Sequence, residues 1–244
     1  MKRILFFAAF FLYCAHAYGE NYSVEEIEFV SHQVKLSGSM VFPDKGKVHA
    51  AVVFVHGSGE QKRSMYWAER FAAEGIVALV YDKRGVGRSG GKYESNQSVS
   101  EKNISLLADD AVAALNALHK HAKTKGLALG LVGISQSGWI IPLAAERNDH
   151  VDFIAQWSAP VCKVSEEDIY SKYTADLDGK KVPRYDEALK SRKEPYIWPD
   201  FLGKDTDPSE SLAKLKIPGF WVYGENDGSV PVDLSIQRLE KLIS

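Results

Sequence analysis

The stretch LGLVGISQSGWIIPLAAE, residues 129–146, decides the fold of this chain. An apolar run breaks into small and polar residues between Gly133 and Gly138 and then resumes. This pattern is typical of a buried strand that turns sharply into a helix. Ser135 stands at the turn, where a strained backbone can hold a serine hydroxyl clear of the sheet. We therefore predict that Ser135 is a nucleophile and that Gly133 relieves crowding in the turn.

The turn departs at one position from the G-x-S-x-G pattern of such nucleophile turns, because Ser137 stands where the second glycine is expected. Serine is the smallest replacement for that glycine, so the assignment to Ser135 is kept. Ser137 is the alternative nucleophile, but no glycine lies two residues before it. The remaining alternative is a plain turn between a strand and a helix.

Apolar runs of strand length alternate with amphipathic helical segments along the rest of the chain. This alternation predicts an α/β fold with a doubly wound, mostly parallel sheet. Residues 25–43 predict two antiparallel edge strands in front of it. The predicted buried strands fall at residues 50–59, 76–81, 127–135, 151–160 and 217–227, and the predicted helices at residues 65–75, 98–121, 137–147 and 232–244.

Residues 163–212 are polar and aromatic and contain no strand signal. About fifty residues without structure are improbable in a compact domain, so this segment predicts a helical cap inserted between two strands. Its aromatic side chains face a cleft or form the cap's own core. They are Tyr170, Tyr173, Tyr185, Tyr196, Trp198 and Phe201.

The N-terminus has the three parts of a secretory signal peptide: the cationic MKR, an apolar run, and the A-x-A site Ala15-His16-Ala17. We expect cleavage after Ala17, one α/β domain over residues 18–244, and a periplasmic or secreted location without stable membrane association. Cleavage changes the formal net charge from −2 to −4 because it removes Lys2 and Arg3. An acidic chain without a basic face does not favour nucleic acid as a partner.

His56-Gly57-Ser58-Gly59 ends the first predicted parallel strand. An oxyanion hole takes one backbone N–H from such a loop and one from the residue after the nucleophile. These donors would be Ser58 and Gln136, while the glycines let the backbone approach the substrate oxygen. No His, Cys, Asp and Glu cluster has metal-ligand spacing, and no cofactor is expected.

Three motifs in this order, VVFVHGSG, VALVYDKRGVGRSGG and LVGISQSGWIIPLAA, resemble the α/β-hydrolase superfamily. The bacterial esterase and serine aminopeptidase branch is the most similar. The resemblance covers about residues 25–162 and 212–244. It implies an α/β-hydrolase fold and an acyl-enzyme mechanism on a small ester, or on a short peptide or amide. It also implies that His56 and Gly57 support the oxyanion loop and that Asp82 and Arg84 hold the loop after their strand.

The same family places its catalytic acid in a loop of the form G-x-x-D-x-x-V-P, which residues 224–231, GENDGSVP, match. The resemblance therefore makes Asp227 the acid that would orient a histidine, with Glu225 as the alternative. For an aminopeptidase, Glu166, Glu167 and Asp168 are candidates to hold a substrate ammonium group.

The histidine that would complete a Ser-His-Asp triad with Ser135 and Asp227 is missing, because none of the seven histidines follows Asp227. In the family this histidine lies beyond one further strand. We expect that the sequence is a C-terminal truncation without that strand and histidine loop, and that this chain alone is inactive. The alternative is a catalytically inactive, hydrolase-like binding protein. The histidines are His16, His32, His49, His56, His119, His121 and His150.

Overall fold

The structure is a computed structural model that describes residues 22–95, 98–174, 177, 180–191 and 203–243. The predicted signal peptide, residues 1–17, and the cap aromatics Tyr196, Trp198 and Phe201 lie outside them. The described residues build a seven-stranded sheet in the order β1-β2-β4-β3-β5-β6-β7 with helices on both faces. The predicted α/β, mostly parallel architecture is confirmed.

The secondary structure follows the predicted alternation closely. The strands are β1 (Tyr22–Ser31), β2 (Val34–Pro43), β3 (Ala50–Val55), β4 (Ile76–Tyr81), β5 (Ala128–Ile134), β6 (Phe153–Trp157) and β7 (Gly219–Val222). The helices are α1 (Met65–Ala73), α2 (Glu101–Lys120), α3 (Ser137–Glu146), α4 (Val164–Thr174), α5 (Tyr185–Lys190), α6 (Pro208–Leu212) and α7 (Val232–Ile243), with a 3₁₀ turn at Ala122–Thr124.

Strands β3 to β7 run parallel to one another, so their carboxyl ends meet at one edge of the sheet. The loops that follow these strands therefore gather at that edge, as ligand-binding loops do in α/β sheets. Strands β1 and β2 form an antiparallel hairpin through His32 and Gln33, both with positive φ. The prediction that both are edge strands was wrong for β2, because it pairs with β4 as well.

Helix α2 shows why the sequence folds as it does on one face of the sheet. Ser100 caps its N-terminus by accepting a hydrogen bond from the Asn103 N–H. Its apolar residues recur at helical spacing, and Ile104, Leu107 and Leu115 are buried against the sheet together with α3. Helix α1 covers the opposite face, where Ala68 and Ala72 contact β3 and β4 residues.

The region predicted as a cap contains the short helices α4, α5 and α6. Tyr170 of α4 is buried, and its hydroxyl donates a hydrogen bond to the Pro183 carbonyl at 3.2 Å. The same hydroxyl lies 3.4 Å from the Asp227 carbonyl, so Tyr170 packs between the cap segment and the loop after β7. The boundaries 163–212 remain a prediction.

Strand β7 pairs with β6 on one side and forms the edge of the sheet among the described residues. Two of its apolar side chains are largely exposed, Phe220 at 64% and Val222 at 47%. An apolar edge strand of this kind is open to further pairing. None of the described helices is long and apolar enough to cross a membrane.

Candidate active site

The turn between β5 and α3 holds Ser135 in a strained conformation. Its φ is 53°, in the left-handed region that residues other than glycine rarely adopt. The Ser135 N–H donates to the Trp157 carbonyl, and its own carbonyl accepts from the Gly138 N–H at 2.8 Å. Backbone strain that neighbouring contacts impose in this way is concentrated at functional sites. This geometry is the one a nucleophile turn requires.

The glycine before Ser135 is required by close packing inside the turn. A β-carbon on Gly133 would lie 2.6 Å from the Val55 carbonyl oxygen and 2.7 Å from the Ser137 Cβ. Ser137 therefore occupies the inside of the turn, where it is fully buried and its hydroxyl has no partner among the described residues. A fully buried hydroxyl cannot reach a substrate, so Ser137 is not placed as a nucleophile.

The oxyanion loop after β3 lies against the turn that carries Ser135. A β-carbon on Gly57 would lie 3.5 Å from the Ser135 Cβ, which shows how closely the two loops approach. Within the described part of the chain, no hydrogen bond uses the backbone N–H of Ser58 or Gln136. Two unpaired N–H groups on loops that meet at a serine can donate hydrogen bonds to a developing oxyanion.

His56 is a buried support of that loop. Its Nε2–H donates to the Tyr81 carbonyl at 2.5 Å, which ties the loop to the end of β4. Burial, together with the positive charge of Lys83, lowers the pKa of His56 to about 4. His56 is therefore neutral near pH 7, and its Nε2 is already occupied.

Asp227 lies in the loop after β7, as the acid-loop match predicts. Its Oδ1 accepts hydrogen bonds from the N–H groups of Ser229 and Val230, both at 2.9 Å. These bonds fix the carboxylate and leave Oδ2 without a partner among the described residues. Glu225, the alternative acid, has an exposed side chain that makes no described hydrogen bond.

Apart from His56 in the oxyanion loop, the described histidines lie elsewhere, and none of the described histidines hydrogen-bonds Ser135 or Asp227. His32 contacts Asp109, and His121 contacts Glu25. His119 and His150 stack on each other with ring centroids 3.8 Å apart. The structure therefore brings together the predicted nucleophile and oxyanion donors, with the acid loop at the same edge, but no general base among the described residues.

The loop after β4 is held by ion pairs, as predicted for Asp82 and Arg84. Asp82 accepts from the backbone and guanidinium N–H groups of Arg63, at 2.9 and 3.0 Å, and from the Arg88 N–H at 2.9 Å. Burial favours the neutral acid, but these donors outweigh it and lower the pKa of Asp82 to about 2. The loop is thus anchored to the segment that precedes α1.

Arg84 anchors the other side of the loop through a buried pair with Asp110 of α2. The Arg84 Nε donates to Asp110 Oδ2 at 2.9 Å, a second bond joins Nη2 to Oδ1, and Asp110 is fully buried. Burial raises the pKa of Asp110, although Arg84 opposes that shift. Breaking one side of such a pair leaves an uncompensated buried charge.

Replacing Asp110 by asparagine is expected to lower the free energy of unfolding by about 3–5 kcal/mol at pH 7. Urea unfolding of the variant and the unmodified chain measures this loss. Asp109→Asn is the matched control, because Asp109 contacts His32 and Arg147 nearer the surface, where a pair contributes about 1 kcal/mol or less. Equal losses in the two variants would contradict the assignment of Asp110 as the anchor.

Lys83, between these two anchors, is a residue that the sequence analysis missed. Its side chain is buried, and its Nζ donates to the Gly57 carbonyl at 2.9 Å, the Gly59 carbonyl at 3.2 Å and the Gln136 Oε1 at 2.8 Å. Burial lowers the pKa of Lys83 to about 8. The one available sequence signal is a lysine two residues after the end of a buried strand.

The acidic candidates at the start of α4 differ in their surroundings. Glu166 is paired with Arg238 at 2.7 Å and is therefore already neutralised. Burial raises the pKa of Glu167 to about 8, with the nearby carboxylates of Asp168 and Asp227 acting in the same direction. Glu167 thus lies within electrostatic range of the acid loop. Within the described residues, no group of three or more His, Cys, Asp or Glu side chains is arranged to hold a metal ion.

Solved structures with the same fold include two from archaea. The Pyrococcus furiosus esterase Pf2001 is 22% identical with a TM-score of 0.63, and the match covers 91% of this chain and 77% of that one. The Pyrococcus horikoshii acylaminoacyl peptidase is 17% identical with a TM-score of 0.62, over 91% of this chain and 35% of that one. DcsB, solved with its substrate analogue, is 16% identical with a TM-score of 0.62, and the match covers 89% of this chain and 86% of that one.

The family whose model matches this sequence is described as serine aminopeptidase, S33, and the match spans residues 46–196. It includes the oxyanion loop, the loop after β4 and the turn that carries Ser135, and it covers more than half of the 244 residues. The chain therefore belongs to the serine aminopeptidase S33 family, and it is a hydrolase with the α/β-hydrolase fold.

Proposed function

We propose that this protein is a serine hydrolase that cleaves a small carboxylic ester through an acyl-enzyme on Ser135. The observation that carries the proposal is the left-handed φ of Ser135 at the end of a central parallel strand, with Gly57 packed beside it. Strain at that position has a clear use if it presents Oγ to a substrate. The unpaired N–H groups of Ser58 and Gln136 support the same role.

In the proposed mechanism the Ser135 Oγ attacks the ester carbonyl carbon and forms a tetrahedral intermediate. The negative oxygen accepts hydrogen bonds from the N–H groups of Ser58 and Gln136. A histidine takes the Ser135 proton and returns it to the leaving alcohol, so that the acyl-enzyme forms. Water then attacks the acyl carbon by the same route, which releases the acid and restores the Ser135 hydroxyl.

The proposed histidine comes from outside the described residues. Two observations support this: the Oδ2 of Asp227 has no partner among the described residues, and the outer backbone edge of β7 is unpaired by any described strand, so a further strand could pair there. The natural coding sequence tests it directly. A histidine codon about one strand and one loop downstream of residue 244 would support the proposal, and a stop codon there would favour a catalytically inactive binding protein.

The second candidate function is that of an aminopeptidase on the same site. The observation that favours it is Glu167, a half-buried carboxyl group within electrostatic range of Asp227 and without a described ion-pair partner. The ammonium group of a peptide N-terminus beside Glu167 would favour release of the carboxyl proton to solvent and form a charge pair with the resulting carboxylate. The family description and the printed name of the acylaminoacyl peptidase are compatible with this substrate class.

The two functions are separated by comparing short p-nitrophenyl esters with aminoacyl p-nitroanilides on the complete natural gene product. We expect kcat/KM to be at least about 100-fold higher for the esters, because nothing among the described residues is dedicated to an ammonium group except Glu167. Glu167→Gln serves as the control and should leave ester hydrolysis within about twofold. A preference for the anilides that Glu167→Gln abolishes would establish the aminopeptidase instead.

A further inference from the structure

Lys83 occupies an unusual position for a lysine, since its side chain is only 2% exposed and its charge faces neutral oxygens. It lies two residues after the end of β4, and its three hydrogen bonds go to two backbone carbonyls and one side-chain amide. No carboxylate pairs with its Nζ among the described residues. A buried ammonium group is stable only where its donors are satisfied, and here its three N–H donors match three acceptors.

The three acceptors belong to the two segments that carry the proposed oxyanion donors. Gly57 and Gly59 flank Ser58 on both sides, and Gln136 is the residue whose own N–H forms the other half of the hole. Two further hydrogen bonds link Lys83 to the loop of Ser58. The Lys83 N–H donates to the Gln61 carbonyl, and the Gln61 side chain donates to the Ser58 carbonyl, both at 2.9 Å.

The terminal amide of the Gln136 side chain is held by a second hydrogen bond as well. Its Nε2 donates to the Ser98 carbonyl at 2.8 Å while its Oε1 accepts from Lys83. Two hydrogen bonds at this terminal amide limit how far the Gln136 backbone can move. The N–H of Gln136 is therefore fixed by contacts that do not involve a substrate.

We propose that Lys83 is a positioning residue that sets the oxyanion hole, because its ammonium group ties the loop of Ser58 to Gln136. The inference rests on the proposed function, since it takes these two N–H groups as the oxyanion donors. Donors held in place before the reaction need no reorganisation when negative charge develops on the substrate oxygen. Lys83 touches neither the substrate nor Ser135 in this arrangement, and it acts through the two loops.

The bracing by Lys83, that is, its three hydrogen bonds to Gly57, Gly59 and Gln136, requires the charged form of the side chain. A neutral amine has only two N–H groups for these three acceptors. The groups around it leave that charge without a direct counter-ion: His56 is neutral, Asp82 is paired with Arg63, Arg84 with Asp110, and Tyr93 presents its ring at 5.8 Å. Since burial lowers the pKa of Lys83 to about 8, the bracing weakens as the pH rises through that value.

The test compares Lys83→Met, which keeps the length of the side chain and removes its donors, with Lys92→Met as the matched control. Lys92 lies close by in the chain, and its side chain is 83% exposed. Backbone ¹⁵N relaxation reports order without any substrate. In Lys83→Met the order parameters of Gly57, Ser58 and Gly59 should fall from about 0.85 to below about 0.6, and in Lys92→Met they should not change.

Kinetics on the complete natural gene product supply the second readout. Lys83→Met should lower kcat for a short p-nitrophenyl ester about 10- to 100-fold while KM stays within about threefold, because the hole acts on the transition state. In the unmodified protein kcat should fall as the pH rises above about 8. This fall should be absent in Lys83→Met, and in Lys83→Arg, whose charge persists at that pH. The pH profile of the unmodified protein tests the proposal even if the Lys83 variants do not fold.

The outcomes separate this inference from the function it rests on. Unchanged order parameters in a folded Lys83→Met, or unchanged kcat in an active enzyme, would overturn the role of Lys83 alone. Loosened loops in a gene product that hydrolyses neither esters nor anilides would overturn the proposed function and with it the catalytic role of Lys83. Loosened loops together with the selective loss of kcat would support both.

Discussion

Replacing Ser135 by alanine is expected to lower kcat of the complete natural gene product for a short p-nitrophenyl ester on the order of 10⁴- to 10⁶-fold. The substitution removes the atom that forms the acyl-enzyme. Ser137, the nearest candidate in the chain, is fully buried inside the turn. Binding and the oxyanion hole would account for the residual rate.

The loss in Ser135→Ala should not come from unfolding, because alanine keeps the backbone N–H and carbonyl that bond Trp157 and Gly138. Thermal unfolding of the variant checks this. Ser137→Ala is the matched control in the same turn, since it removes a buried hydroxyl without a described partner and should leave kcat within about fivefold. A larger loss in Ser137→Ala than in Ser135→Ala would show that the nucleophile has been misassigned.

Replacing Asp227 by asparagine should lower kcat by roughly 10⁴-fold, the effect of the same change in a known serine-protease triad. A carboxylate accepts the N–H of the histidine and stabilises its cationic form, whereas an amide can present a donor there and favour the wrong tautomer. The Asn Oδ1 can still accept from the N–H groups of Ser229 and Val230, so the loop should keep its conformation.

The control for Asp227→Asn is Glu225→Gln in the same loop. Glu225 is exposed and makes no described hydrogen bond, so its substitution should change kcat less than about twofold. Steady-state kinetics at pH 7 on both variants decide between the two carboxylates. If Glu225→Gln lost the activity and Asp227→Asn kept it, Glu225 would be the acid.

Local steric requirements of the backbone made the central part of this fold predictable from the sequence. Gly133 is needed where a β-carbon would meet Ser137, and Gly57 where the oxyanion loop approaches Ser135. Such requirements are local, and they select small residues at fixed spacing. The continuous apolar runs of β3, β4 and β5 likewise predict central parallel strands, which are buried on both faces.

The features that escaped prediction depend on contacts between distant segments. Lys83 meets Gly57 and Gln136, which lie 26 and 53 residues away in the chain, and no local pattern marks that convergence. The position of β2 inside the sheet depends on its pairing with β4, which a hairpin signal cannot reveal. Glu167 was one of three acidic candidates in the sequence, but its raised pKa, which sets it apart from the other two, arises from burial within the folded chain.

The polar segment 163–212 was hard to interpret for a different physical reason. Its helices α4, α5 and α6 are short, and little of their stability can come from helical periodicity. Partners elsewhere in the chain hold them instead. Examples are the hydrogen bond from the Tyr185 N–H to Asp233 and the pair between Glu166 and Arg238 of α7.

The most direct test of the central claim is a crystal structure of the complete natural gene product after reaction with an alkyl fluorophosphonate. Phosphorus should be bonded to the Ser135 Oγ, and one phosphonyl oxygen should lie about 2.7–3.1 Å from the backbone nitrogens of both Ser58 and Gln136. An adduct on another residue, or a phosphonyl oxygen that neither nitrogen approaches, would contradict the assignment of this site.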